Sequence, residues 1–213
     1  MTLPFEVHPD PSAAARRVAG LITARMHAGA STVALSRGAE LLDCLADEDV
    51  AWSQASVYQV DERVAPPGHE DRNLTQLAAS LPAGVVRPMP VEEPDLEAAA
   101  ARYAGELPGA LGLVHLGLGP DGHTASLVPG DPVLDVTDRP VAVTQEYRGY
   151  RRMTLTYPAL EAAREIVWLV TGAEKRDVLA RLLAGDTSIP AGRIANANQL
   201  VVCDVAVVPS YRG

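Results

Sequence analysis

Short apolar segments alternate with helix-forming segments along most of this chain. Apolar runs lie at residues 32–35, 56–60, 111–116 and 165–170, and segments with helical periodicity separate most of them. Consecutive strands joined by helical crossovers pair in parallel, and the helices then cover the sheet. The pattern predicts an α/β fold, a Rossmann-like, open and mostly parallel sheet with helices on both faces.

Turn and cap residues predict where individual elements begin and end. The first helix is predicted at residues 12–28, with Ser12 as its N-cap and Gly29 after its last residue. Asn73 is predicted to cap a helix that begins at Leu74. Residues 85–88 are predicted to form an edge strand, because Pro88 has no backbone N–H for a central strand.

The composition favours one domain that spans residues 1–213. Hydrophobic residues make up 47% of the chain, enough for a full core. No apolar run of about 18 residues predicts a membrane span, and the first residues do not resemble a signal peptide. Cys44 and Cys203 are expected to be buried free thiols in a reducing compartment. We therefore expect a cytoplasmic protein with no membrane partner, either a monomer or a small homo-oligomer.

The charge distribution limits the class of partner. The formal net charge of −9 argues against a nucleic acid. It leaves an anionic small molecule possible, since a few local cations decide the charge of a pocket. Lys175 is the only lysine of the chain.

A glycine-rich loop follows the apolar run at residues 111–116. Gly117, Gly119 and Gly122 permit tight turns, and Asp121 and His123 bring titratable groups into the same loop. The spacing also fits a dinucleotide-binding fingerprint, but Pro120 removes a donor N–H that a pyrophosphate would need. A tight turn with a structural histidine remains the other alternative on this spacing alone.

The complete run Gly-Leu-Gly-Pro-Asp-Gly-His-Thr-Ala-Ser-Leu-Val-Pro-Gly, residues 117–130, resembles the signature of the 6-phosphogluconolactonase family. Related glucosamine-6-phosphate deaminases share the Asp-Gly-His but continue with a different, Glu-containing run. The continuation from Thr124 to Leu127 favours the lactonases. The resemblance extends roughly from Leu35 to Asp204 and implies the fold of the isomerase/lactonase superfamily.

The resemblance implies hydrolysis of 6-phospho-D-glucono-1,5-lactone to 6-phospho-D-gluconate, with this sugar-phosphate lactone as partner and no cofactor. His123 is expected to act as general base and then as general acid. Asp121 is expected either to hold the loop or to orient the imidazole. Gly119, Gly122 and Thr124 of the same loop are expected to contact substrate.

Further candidates come from segments that resemble the family elsewhere. Asp-Glu-Arg at residues 61–63 ends a predicted strand, and the loop after it closes on Asn73. An Arg-x-Thr-Leu-Thr-x-Pro-x-Leu run follows at residues 152–160, and a Thr-Gly-x-x-Lys turn at residues 171–175. The substrate-binding candidates from these segments are Asp61, Glu62, Arg63, Asn73, Arg152, Lys175 and, as a weaker candidate, Arg193. Arg63 and Arg152 are candidates for the oxyanion or the phosphate.

The turn Ser36-Arg37-Gly38-Ala39 is a possible phosphate seat, since it connects a strand to a helix N-terminus. On spacing alone, an ordinary strand-to-helix turn is the better interpretation. The family has a more glycine-rich run here, and this chain departs from it at Arg37 and Ala39. Ser36, Arg37, Gly38 and Lys175 form the expected phosphate set.

Other functions find less support in the sequence. The remaining histidines lack metal-ligand spacing, so no metal site is predicted, and His115 is expected to be a core residue. Two alternatives stay open: an isomerase or deaminase of the same fold with Asp61 as proton carrier, and a non-catalytic sugar-phosphate sensor.

Overall fold

The computed structural model describes residues 3–29 and 31–208, which form ten strands and six α-helices. The strands are β1 (Phe5–His8), β2 (Thr32–Leu35), β3 (Ser56–Gln59), β4 (Asp61–Arg63), β5 (Val86–Arg87), β6 (Leu113–Gly117), β7 (Val141–Val143), β8 (Arg152–Leu155), β9 (Ile166–Val170) and β10 (Gln199–Asp204). The helices are α1 (Pro11–His27), α2 (Ala39–Ala46), α3 (Asn73–Ser80), α4 (Leu96–Glu106), α5 (Tyr157–Glu161) and α6 (Arg176–Leu183).

Seven strands form one parallel sheet in the order β1-β10-β9-β6-β2-β3-β5. The predicted edge strand, β5, lies at one edge. The other edge is β1, which the sequence did not reveal because its four residues are alternately exposed and half-buried. The prediction of an open, mostly parallel sheet is confirmed.

Helices cover both faces of this sheet, as expected. Side chains from α1, α2 and α3 pack with Val33 and Leu35 on one face. On the other face, Ala34 packs with residues of α4, α5 and α6. Successive residues of β2 thus enter different cores, which is why the strand reads as a continuous apolar run.

A second, antiparallel sheet was not predicted. It consists of β4, β8 and β7 in that order, and it pairs Asp61 with Thr154 and Ala142 with Thr154. Its apolar side chains, including Met153 and Leu155, join the core on the face of α4. Because β4 begins two residues after β3 ends, the chain passes directly from the large sheet to the small one.

Two predicted helix caps are wrong. Asp10, not Ser12, caps α1: its carboxylate accepts a hydrogen bond of 2.7 Å from the N–H of Ala13. Asn73 is the first residue of α3, and its side chain is directed to Asp61 instead.

The two cysteines are free thiols, Cys203 buried and Cys44 only half-buried. In the part of the chain that the structure describes, no helix combines the length and apolar character needed to cross a membrane.

Candidate active site

A small polar cavity lies where the carboxyl ends of the large sheet meet the small sheet. Its volume is about 180 Å³. The described residues that line it are Ser36, Arg37, Asp61, Arg63, Asn73, His123, Ala125, Tyr147, Arg148 and Arg152. A larger cavity, of about 660 Å³, opens at the amino ends of the same strands beside Arg25 and Glu165, and contains none of the predicted site residues. Ligands of open α/β sheets bind at the carboxyl ends, so the smaller cavity is the candidate site.

His123 and Asp121 form a pair beside this cavity. The Nδ1 atom of His123 hydrogen-bonds Oδ1 of Asp121, and the backbone N–H of His123 donates to the same oxygen at 3.3 Å. The ionised carboxylate of Asp121 can only accept a hydrogen bond, so Nδ1 of His123 carries the proton. In the neutral imidazole, Nε2 is then the basic atom. This arrangement favours the second of the two roles expected for Asp121, orientation of the imidazole.

Tyr147 adds a third member to this pair. Its hydroxyl donates to Oδ2 of Asp121 at 2.9 Å, and its ring lies edge-on to the His123 ring with 5.8 Å between centroids. Burial acts to raise the pKa of Asp121, but the hydrogen bonds from His123 and Tyr147 outweigh it and hold that pKa below its usual value. Asp121 therefore stays ionised as an acceptor for both partners.

Two glycines allow the loop to hold His123 in place. A Cβ on Gly119 would overlap the His123 ring, and the N–H of Gly119 donates to the His123 carbonyl at 2.8 Å. Gly122 has φ +83° and faces Ile189, where a Cβ would also collide. Neither glycine lines the cavity; both shape the loop that presents the imidazole.

Asp61 reaches the cavity from the small sheet. Its side chain accepts hydrogen bonds from the Asn73 amide at 2.9 Å and from the Ser126 hydroxyl at 2.6 Å. Burial raises the pKa of Asp61, while the Ser126 hydrogen bond and the charge of Arg152 act against that rise.

Glu62, the next residue, is directed away from the cavity. Its carboxylate accepts hydrogen bonds from the backbone N–H groups of Asn73 and Leu74, both at 2.8 Å. It also accepts from Gln59 Nε2 and from the N–H of Arg63. Glu62 therefore satisfies the first N–H groups of α3, a function that the sequence assigned to Asn73.

Two arginines of the small sheet line the cavity in different states. Arg63 is held by Asp71, which accepts from its Nη1 at 2.9 Å. Arg152 is 5% exposed, and its Nε has no hydrogen-bond partner among the described residues. A buried guanidinium with an unused donor can bind an anion that enters the cavity.

Three other predicted residues do not line the cavity. Thr124 donates its hydroxyl to the carbonyl of Gly117 at 2.9 Å, within the loop. Lys175 ends a short 3₁₀ turn after β9 and is half-buried. Arg193 is exposed and donates to the carbonyl of Thr187 at 3.1 Å.

Gly38 also lies outside the lining, next to Arg37. It is the N-cap residue of α2, a helix that has no side-chain cap. The first N–H groups of α2 are therefore available to a ligand beside Ser36 and Arg37.

Several residues of the site were not predicted from the sequence. Tyr147 and Arg148 lie in the connection between β7 and β8, and Ser126 and Ala125 lie in the glycine-rich loop. The position of Tyr147 and Arg148 could have been predicted, because the glycine in Tyr-Arg-Gly-Tyr, residues 147–150, is typical of a hairpin turn.

Metal ligands do not cluster anywhere in residues 3–29 and 31–208: no group of three or more His, Cys, Asp or Glu side chains is placed to hold an ion.

Comparison with known proteins relates most of the chain to one family. Residues 9–203 match the family model of glucosamine-6-phosphate isomerases/6-phosphogluconolactonase. A 6-phosphogluconolactonase from a Nostoc species is 34% identical, with 84% of each chain covered. The 6-phosphogluconolactonase of Mycobacterium tuberculosis is also 34% identical, with 96% of each chain covered.

Solved structures show the same fold. A 6-phosphogluconolactonase from Trypanosoma brucei aligns with a TM-score of 0.81 at 25% identity, over 96% of this chain and 97% of that one. A monomeric glucosamine-6-phosphate deaminase aligns with a TM-score of 0.84 at only 14% identity, over 96% of this chain and 98% of that one. Because a deaminase and a lactonase align equally well, the fold alone does not decide between the two activities.

Proposed function

Because this chain belongs to the family of glucosamine-6-phosphate isomerases and 6-phosphogluconolactonases, we propose that it is a 6-phosphogluconolactonase. It hydrolyses 6-phospho-D-glucono-1,5-lactone to 6-phospho-D-gluconate, a step of the oxidative branch of the pentose phosphate pathway. The observation that carries the proposal is the sequence similarity to the lactonases across most of the chain. The pair of His123 and Asp121 beside a cavity rich in arginine supports it.

The proposed reaction needs a base for water and an acid for the leaving oxygen. Nε2 of His123 takes a proton from a water molecule while the water oxygen bonds to the lactone carbonyl carbon. The carbonyl oxygen becomes an oxyanion in the tetrahedral intermediate. When the bond from this carbon to the ring oxygen breaks, His123 returns the proton to that oxygen, so the carboxylic acid and a free hydroxyl result.

Asp121 and Tyr147 serve this cycle without touching substrate. Asp121 keeps the proton of His123 on Nδ1 and stabilises the imidazolium that forms. Tyr147 holds the second carboxylate oxygen. Burial and this hydrogen bond raise the pKa of Tyr147, so its hydroxyl remains a donor at neutral pH.

The cations of the cavity divide between the two anionic parts of the reaction. Arg152, buried and with a free donor, is the proposed ligand of the oxyanion, and Arg63 supports it. The proposed phosphate set is Ser36 and Arg37, which line the cavity, together with Gly38 and Lys175, which lie outside the lining. Arg193, also outside the lining, is a weaker member. Asp61 and Asn73, which line the cavity, are the proposed hydrogen-bond partners of the sugar hydroxyls.

A second candidate is an isomerase or deaminase that uses Asp61 to move a proton. Its support is the buried position of Asp61 at the cavity and its raised pKa. We prefer the lactonase because the loop continues as Thr-Ala-Ser-Leu after His123.

The test is an assay of the purified protein on freshly made phosphorylated lactone and on its unphosphorylated counterpart. We expect rapid hydrolysis of the phosphorylated lactone, slower hydrolysis of the other, and no change with a chelator. Aldose–ketose isomerisation or ammonia release from amino sugar phosphates, without lactone hydrolysis, would instead establish the second candidate. A cytoplasmic location and a monomeric or small oligomeric state belong to this proposal.

A further inference from the structure

The connection between β7 and β8 ends in a strained hairpin turn. Tyr147 and Tyr150 pair across it, with N–H to carbonyl distances of 2.9 and 3.4 Å. The two residues between them, Arg148 and Gly149, have φ values of +52° and +83°. Two consecutive left-handed residues are the pattern of a type I′ turn, which favours Asn, Asp or Gly at the first position. Arg148 occupies that position at a steric cost.

The strained residue directs its side chain toward the candidate active site. The guanidinium carbon of Arg148 lies 5.0 Å from the centre of the Tyr147 ring, and Arg148 is one of the residues that line the cavity. The guanidinium carbon of Arg152 lies 5.2 Å from the same ring. Two cations are thus held next to one aromatic side chain, beside the hydroxyl that contacts Asp121.

The cavity has an excess of positive charge in an acidic protein. Four of its lining residues are arginines, whereas Asp61 is its only lining carboxylate among the described residues. Arg63 is neutralised by Asp71. Arg148 forms no hydrogen bond or ion pair with any residue in the described ranges, so its five donors are free.

Arg152 and Arg148 differ in exposure. Arg152 is buried at the base of the cavity, where a developing oxyanion would be desolvated. Arg148 is exposed at the rim. A phosphate that remains partly hydrated fits the rim better than the base, and a guanidinium can bind two of its oxygens at once.

We propose that Arg148 determines substrate specificity by binding the phosphate group of the substrate at the rim of the cavity. This assignment rests on the proposed lactonase function. Arg148 supplements the phosphate set of the β2–α2 turn, and Tyr147 holds its guanidinium over the cavity. An energetically unfavourable residue at the turn is explained by this function, since strained backbone tends to occur at functional sites.

The test uses Arg148→Asn, because asparagine adopts positive φ readily and suits the turn. We expect the thermal unfolding temperature to stay the same or rise. kcat/KM for the phosphorylated lactone should fall about tenfold to a hundredfold, as for loss of a charge-assisted hydrogen bond. kcat/KM for the unphosphorylated lactone should not change.

Arg151→Asn is the matched control. Arg151 is also exposed and lies three positions along the same connection, but it lines a different cavity. Its substitution changes the net charge equally, so it measures the long-range electrostatic effect. Three results would each overturn the proposal. The two variants could lose kcat/KM for the phosphorylated lactone equally, Arg148→Asn could lose kcat/KM equally on the two lactones, or Arg148→Asn could lose none.

Binding measurements separate this proposal from the proposed function. Inorganic phosphate and 6-phosphogluconate are titrated calorimetrically into the wild type and Arg148→Asn. If the wild type hydrolyses neither lactone, the lactonase function fails, yet weaker binding of both anions by Arg148→Asn still supports the phosphate site. Unchanged binding of both anions contradicts it, whether or not the protein is a lactonase.

Discussion

The large parallel sheet and the small antiparallel sheet supply different parts of the candidate active site. Strands of the large sheet, such as β9, are apolar and buried, and their loops carry His123 and the turn at Ser36. The small sheet supplies Asp61, Arg63 and Arg152 from within its strands. The proposed base, His123, is therefore held by a sheet with an apolar core. Most of the charged groups of the cavity are held by a sheet that is stabilised in part by buried polar contacts.

The largest expected effect is a loss of kcat on substitution of His123, in a loop of the large sheet. His123→Ala should fold normally and lose about 10²- to 10⁴-fold in kcat, because a general base contributes about that much. Circular dichroism and steady-state kinetics check both parts. His27→Ala, which removes an exposed histidine of α1, is the control and should keep full activity. Near wild-type turnover of His123→Ala would mean that the chemistry does not reside in this loop.

Glu62 and Asp61 test how the small sheet is stabilised. Glu62 is fully buried, accepts from two N–H groups of α3 and lies 3.6 Å from buried Arg72. Arg72 keeps a second partner, Glu92, so the main loss is the charge that accepts from the helix N–H groups. Glu62→Gln should therefore lower the free energy of unfolding by about 2 to 3 kcal/mol, as for hydrogen bonds to a charged group. Urea unfolding at pH 7 measures this.

Asp61→Asn is the neighbouring comparison and should behave in the opposite way. The folded-state pKa of Asp61 is raised, chiefly by burial, so the ionised carboxylate lowers stability at pH values above the unfolded-state pKa. The Asp61→Asn variant should therefore have unchanged or raised stability, while its kcat/KM falls about tenfold. If both variants lost stability equally, Asp61 would be a structural residue like Glu62.

His115 tests a buried polar group within the large sheet. Burial lowers its pKa to about 4, against a smaller opposing effect of the Ser36 backbone. Between this value and the unfolded-state value near 6.5, the unfolded chain binds the extra proton, so stability falls as the pH falls. His115 alone should remove about 2 kcal/mol between about pH 7.5 and about pH 5.

The measurement for His115 is urea unfolding at these two pH values for the wild type and His115→Leu. The variant should lack this part of the pH dependence, whereas His27→Gln should retain it. The same pH dependence in wild type and His115→Leu would mean that His115 does not stay neutral in the folded protein.

The smallest effect concerns the contact between the two regions. Tyr147→Phe removes one hydrogen bond to Asp121 but keeps the ring beside Arg148, so kcat should fall about two- to tenfold with little change in KM. With one donor fewer, the pKa of Asp121 is lowered less, so its carboxylate is protonated at a higher pH. The acid limb of the kcat/KM profile should therefore move to higher pH.

Tyr150→Phe is the control, since Tyr150 pairs with Tyr147 across the same turn but donates its hydroxyl to Asp71. It should weaken that anchor without moving the acid limb. Identical profiles for the two variants would indicate that Tyr147 only stabilises the hairpin.

The features that could be predicted from the sequence are those with a local signal. The run 117–130 encodes its own turns, so the loop and its place after β6 could be predicted. The small sheet could not, because β4 has three residues and pairs with residues about 90 positions later. Nor could the sequence separate Asp61 from Glu62, since neighbours on a strand face opposite sides and only the partner elements show which side is the cavity.

Gly119 has no functional group, yet the proposed mechanism depends on it. The His123 ring fills the volume in which a side chain at position 119 would begin. In a saturation mutagenesis experiment, substitutions there should displace the imidazole from Asp121 and score like a loss of His123, while the protein accumulates at normal levels. A natural Gly119→Ala variant would therefore be an inactive allele that abundance measurements fail to detect.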